Sequence, residues 1–217
     1  MNKNKDILIG VGLLAVIVVG VVLLVVFNRA PAAPGGAGTL TTTIAADDHI
    51  KGQPNGQLVL VEYSDFQCPA CASYYPVIKR LVTDFGDRLT FVYRHFPLSQ
   101  HLQARLAARA AEAAGRQNKF WEMHDLLFTG QNNWADAGGA EDIMLGYAEE
   151  LGLDMEQFRR DLNDDVLTER VRRDTRSGEA AGINSTPTFF LNGRQITNPR
   201  GYDEFRTIIE RELSAAS

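Results

Sequence analysis

The chain has two cysteines, three positions apart in Cys68-Pro69-Ala70-Cys71. Two thiols at this spacing can close a disulfide with each other. They follow an apolar, β-branched run, Leu58–Tyr63, and open a helix-like one, Ala72–Phe85. A thiol at a helix N-terminus faces unpaired N–H groups and the positive end of the helix dipole, so its thiolate is stabilised. Free cysteine titrates near about 8.5, and C-x-x-C sites in this setting fall to about 3.5–7. The pair reads as a redox couple. As a staple it would add little stability, because closing so short a loop removes little chain entropy. Zinc needs two further ligands. His49, His95, His101 and His124 offer no second pair at ligand spacing, so no metal is assigned. A carrier of a soft cation such as Cu(I) remains the alternative from another class, without a methionine or histidine cluster to support it.

Leu58–Tyr63 and Leu89–Phe96 read as strands joined by the helix Ala72–Phe85, a parallel βαβ unit. Helical periodicity then runs through Gln100–Gln117, where Leu102 is one of the apolar positions, and through Phe120–Phe128, Ile143–Leu151 and Met155–Gly178, with Asp154 at an N-cap. Strand signals return at Thr188–Leu191. Asn192-Gly193 is a two-residue hairpin turn into Gln195–Thr197, and Tyr202–Leu213 closes as an amphipathic helix. The order predicts an α/β sheet interrupted by a helical insertion. Phe120, Trp121 and Trp134 are expected to pack that insertion. Glu149, Glu150 and the stretch Asp161–Asp165 are expected on solvated faces, and His95 as a surface or capping histidine. His101 and His124 receive no role. No glycine-rich phosphate loop follows a strand. A net charge of −5 without a basic run argues against a nucleic-acid partner.

Ile7–Phe27 carries no charge and no proline, and at about 1.5 Å per residue it matches the roughly 30 Å hydrocarbon core of a bilayer. Lys3 and Lys5 precede it, which places the N-terminus in the cytoplasm and the rest outside. The expected organisation is a membrane anchor over residues 1–29, a small-residue linker over 30–44, and a domain over 45–217 with its helical insertion at about 98–180. A cleaved signal peptide competes. It is disfavoured by the length of the apolar run and by proline in Ala30-Pro31-Ala32.

The segments Val61–Cys71 and Gly182–Gly193, with the helical block between them, resemble the thioredoxin superfamily and within it the DsbA-like thiol–disulfide oxidoreductases. The resemblance implies a thioredoxin fold with no bound cofactor, the two thiols being the redox group. It implies Cys68 as nucleophile and Cys71 as resolving thiol. It also implies a cis peptide at Thr186-Pro187 opposite them, which exposes backbone to an extended substrate strand. Glu62 matches the family's buried acid and would pass a proton to and from Cys71. Pro69 and Ala70 face the substrate and tune the potential. Ala70 stands where the best-known oxidants carry histidine, so the expected potential lies between about −270 and −120 mV. Implied partners are reduced exported proteins as substrates and a quinone-linked membrane thiol oxidase, DsbB- or VKOR-like, as reoxidant. The nearest enzyme alternative is a disulfide isomerase or reductase.

Overall fold

The computed structural model describes residues 44–215. The anchor expected over residues 1–29 lies outside the described residues, as does the linker except for Ile44. Among the described residues no helix is long and apolar enough to cross a membrane.

Five strands form one sheet, in order β1 (His49–Gly52), β3 (Leu89–His95), β2 (Leu58–Ser64), β4 (Thr188–Leu191) and β5 (Arg194–Ile196). β2 and β3 pair in parallel at the centre, and the other neighbours are antiparallel. Helix α1 (Pro69–Phe85) makes the crossover between β2 and β3. Strands covered on both faces need near-continuous apolar sequence, and every residue of β3 is buried.

Alternation along these strands decides what the site sees. Leu58, Leu60, Glu62 and Ser64 lie level with Leu89, Phe91, Tyr93 and His95 on one face. Cys71, Ile78, Leu81 and Phe85 of α1 join Leu58, Leu60, Phe91 and Tyr93 in one buried cluster. Val61, Tyr63, Val92 and Phe190 face the other way and pack with Phe96 and Ile183.

The insertion comprises α2 (Ala104–Gly115), α3 (Phe120–Thr129), α4 (Gln131–Trp134), α5 (Ala140–Glu150), α6 (Met155–Leu162) and α7 (Asp165–Ala180). Ala107, Ala110, Ala111 and Ala114 give α2 a small-residue face, which lets it join the same core as Phe120, Met123 and Trp134. α7 approaches the opposite face closely. A Cβ on Gly178 would sit 2.7 Å from the Phe96 ring and 3.1 Å from Tyr63. Helix α8 (Tyr202–Ala215) closes the fold, with Phe205, Ile209 and Leu213 buried.

Several expectations are corrected. β1 carries no apolar-run signal, being His-Ile-Lys-Gly, and exists through its register with β3. The single helix expected over Met155–Gly178 is two. The Asp164 side chain accepts from the Val166 N–H at 2.8 Å and starts a new helix, so a local cap overrides a continuous period. Leu102 precedes α2 and is 85% exposed instead of lying on its apolar face. Asp161 is buried and receives an Arg116 guanidinium at 2.7 Å, whereas Glu149 and Glu150 are exposed. His95 is buried, 1% exposed, and its Nε2 lies 2.9 Å from Glu112 Oε1. The hairpin expectation holds: Asn192 and Gly193 both have positive φ, 48° and 77°, and Val59 N–H donates to Asn192 Oδ1 at 2.9 Å.

Candidate active site

Cys68 is the N-cap of α1 and Pro69 its first residue. At that first position a missing N–H is harmless, because an N-cap acceptor takes its bonds from the second and third residues. Those are Ala70 and Cys71. Cys68 is 6% exposed, Cys71 is fully buried, and both are free thiols. Pro69 and Ala70 between them are exposed.

The two thiols are driven apart electrostatically. Cys68 is held down to about 5, first by the Cys71 thiol as donor, then, against the opposing effect of burial, by Thr186 and the N–H groups of Cys71 and Ala70. Cys71 is pushed well above the ordinary thiol range by burial, by its bond to Cys68 and by the nearby Glu62. The Thr186–Pro187 peptide is cis. As a thiol, Cys68 donates to the Thr186 carbonyl at 3.5 Å. The Thr186 hydroxyl is buried with no hydrogen-bond partner, which leaves it available to the thiolate.

Behind Cys71 lies a buried polar chamber on the α1-facing side of the sheet. Glu62 is 4% exposed, and burial, with a further push from Cys68, raises its carboxyl to about 7. Tyr93 stands level with it on β3, its hydroxyl raised by burial and by the neighbouring Glu62, Cys71 and Asp65. Ser64, two residues along β2, lowers the values of Glu62, Cys71 and Tyr93 alike. Neither the Ser64 nor the Tyr93 hydroxyl has a fixed partner. One donor thus serves whichever neighbour carries negative charge.

The approach to Cys68 is held by the insertion. Gln131 of α4 donates to the Phe66 carbonyl at 2.6 Å and the Cys68 carbonyl at 3.1 Å. Gln67 donates to the Ala135 carbonyl at 2.6 Å and accepts from the Gln103 N–H at 2.7 Å. The buried Asp65 carboxylate accepts from the N–H groups of Gln67 and Leu98, at 2.7 and 2.8 Å, and from His101 Nδ1 at 2.7 Å. The exposed Leu102 sits on the loop so fastened.

The structure therefore brings Cys68, Cys71, Glu62, Thr186 and Pro187 to one place, with Pro69 and Ala70 at its rim. Sequence reasoning missed Ser64, Tyr93, Asp65, His101 and Gln131. Ser64 shares the parity of Glu62 in a strand and was within reach of that rule. Gln131, 63 residues beyond Cys68 in an unrelated helix, carried no local signal.

His49, His95 and Glu112 place donor atoms within 4.8 Å of one another, the one metal-like group among the described residues. Arg170 Nε already lies 3.8 Å from the Glu112 carboxylate. Burial would raise that carboxyl, but hydrogen bonds from His49 and His95 outweigh it and keep Glu112 well below the usual range. His49, His95 and Arg170 thus all converge on the one Glu112 carboxylate.

Residues 45–211 match the thioredoxin family. A thioredoxin-like oxidoreductase from Silicibacter pomeroyi superposes with a TM-score of 0.67 at 27% identity, over 78% of this chain and 94% of that one. Oxidised BdbD from Bacillus subtilis gives 0.72 at 24% identity, over 83% of this chain and 100% of that one, a likeness of fold. A Salinispora arenicola protein named Na(+)/H(+) antiporter NhaA 1 is 43% identical over 149 residues, 68% of this chain and 22% of that protein. This chain spans about a quarter of the length of the curated relatives it matches, so their name describes wholes of which it matches a part.

Proposed function

The chain belongs to the thioredoxin family and shares its fold with solved DsbA proteins, and on that premise we propose that it is a membrane-tethered dithiol oxidase acting on exported proteins. One observation carries this reading: Cys68 titrates near 5 while Cys71 is driven far above it. A stabilised Cys68 thiolate favours the reduced protein, and a protein that prefers to be reduced oxidises others.

In the oxidised form a substrate thiolate attacks Cys68 Sγ. The Cys68–Cys71 bond breaks, a mixed disulfide forms, and Cys71 leaves as a thiolate that takes a proton from Glu62. A second substrate thiolate then attacks the substrate sulfur and expels Cys68, whose low pKa makes it the better leaving group. Two electrons have passed from substrate to protein. The backbone at Thr186-Pro187 would offer a strand-like edge for the substrate, with Pro69 and Ala70 at the rim of the site. A quinone-linked membrane thiol oxidase would restore the disulfide. The apolar run at residues 7–27 would hold the domain on the outer face of the membrane. Proteins named as antiporters that contain a segment similar to this chain are consistent with work beside a bilayer.

The test is the reduction potential of the Cys68–Cys71 pair in glutathione buffers, together with trapping. A potential well above about −180 mV marks a dithiol oxidase or isomerase, and a value near about −270 mV makes the protein a reductant instead. Cys71→Ser should accumulate mixed disulfides on Cys68, and Cys68→Ser should accumulate none. Trapping through Cys71 in the latter would overturn the assignment of roles.

A further inference from the structure

The carbonyls on either side of Thr186 already have donors. The Thr188 hydroxyl, at the start of β4, donates to the Ser185 carbonyl at 2.8 Å. The Asn198 side-chain amide donates to the Pro187 carbonyl at 2.7 Å. Thr186 between them keeps its own pair of backbone groups. Its carbonyl meets the Cys68 thiol at 3.5 Å, and its N–H has no acceptor among the described residues. Pro187 has no N–H to offer. An extended segment laid along this edge finds one residue with both a donor and an acceptor, and that residue stands against Cys68.

The hairpin delivers Asn198 to this place. β4 and β5 pair with Leu191 level with Arg194 and Phe189 level with Ile196, and two more steps of that register bring Asn198 level with Pro187. A proline cannot donate to a ladder, yet the carbonyl of a buried residue needs a partner. The Asn198 amide supplies it from beyond the end of β5. The next residue is anchored too. Tyr74 of α1 donates its hydroxyl to the Pro199 carbonyl at 2.7 Å. Its ring packs against Phe189 and Phe205, at 5.3 and 6.3 Å between centroids. The helix that begins at Cys68 is thereby tied, through Pro199 and Asn198, to the loop that faces Cys68.

Resting on the substrate edge proposed at Thr186-Pro187, we infer that Asn198 is a positioning residue for an extended peptide substrate, with Tyr74 as its anchor on α1. By occupying the Pro187 carbonyl, Asn198 leaves Thr186 as the one docking residue and holds it at a fixed place before Cys68 Sγ. Without that bond the Pro187 carbonyl would be a buried acceptor with no partner, and the loop would be held less firmly. Each substrate strand would then meet the ordering cost of the loop as it bound. Asn198 touches no reacting atom, so its effect reaches the chemistry through the substrate's backbone. A thiol without peptide groups has no backbone to place and gains little from it.

The full chain, oxidised, would be reduced by a dithiol peptide and, separately, by dithiothreitol, which has no peptide groups to pair. Asn198→Ala removes the donor, Asn198→Gln keeps an amide, and Tyr74→Phe removes the anchor while keeping the ring. Asn198→Ala should lower kcat/KM for the peptide about five- to tenfold, mostly through KM, and the rate with dithiothreitol by less than about twofold. Tyr74→Phe should shift the same ratio in the same direction, and Asn198→Gln should recover part of the loss. An equal fall with both reductants would make Asn198 a general structural residue and overturn the assignment. Unaltered peptide kinetics in Asn198→Ala would overturn it as well. Wild-type protein that accepts dithiothreitol but no dithiol peptide would instead remove the substrate edge on which the assignment rests.

Discussion

A single turn of helix separates a thiol held near 5 from one held far above the usual range, and the chemistry follows from that contrast. Between pH 5 and about 8.5 the reduced protein carries one proton fewer than two thiols would. Its potential should therefore fall by about 30 mV per pH unit there and by about 59 mV below pH 5, read from glutathione equilibria at several pH values. The lowered Cys68 value adds stability to the reduced form that is complete above about 8.5 and lost as pH falls through 5. Glu62 has the opposite sign. Raised to about 7, it favours the fold below about 4.3, and that contribution is lost as pH rises through 7. Glu62→Gln should leave urea stability nearly unchanged at pH 4 and raise it by about 2–3 kcal/mol at pH 8. Equal effects at both pH values would show that the carboxyl does not titrate in this way. Of these residues the sequence made Cys68, Cys71 and Glu62 legible, because two thiols at one spacing and an acid in an apolar run are local anomalies. Ser64 and Tyr93 are ordinary strand residues until the register puts them beside Cys71.

Among the elements, the βαβ unit, the hairpin and the closing helix could be read from period and turn chemistry. β1 could not, because a four-residue strand owes its existence to its partner, and the break before α7 hid inside a continuous helical pattern. Packing makes its own demands at this scale. Gly178→Ala would press a methyl into the buried Phe96 ring at 2.7 Å. It should cost about 1–3 kcal/mol in urea unfolding, with an unchanged m-value. Gln131→Ala would strip donors from two carbonyls flanking Cys68, again at about 1–3 kcal/mol. It should also broaden the Cys68 titration, which a merely destabilising change elsewhere would not do.

For the whole molecule, the sheet positions the cysteines and the insertion fastens them, while the tether proposed for residues 1–29 would set where they work. Removing those residues should leave exchange with a soluble dithiol peptide unchanged and slow reoxidation by membranes, through loss of effective concentration. Equal reoxidation rates would argue against tethering. The fastening has a further consequence for how such a protein diversifies. Gln131 grips the main chain of Phe66 and Cys68, and Gln67 and Asp65 close the loop beside them, while the side chains of Pro69 and Ala70 are exposed. The dipeptide is thus an interchangeable cartridge in a fixed breech. A library randomised at these two positions should spread widely in reduction potential and narrowly in melting temperature, so selection could retune the oxidant without renegotiating the fold.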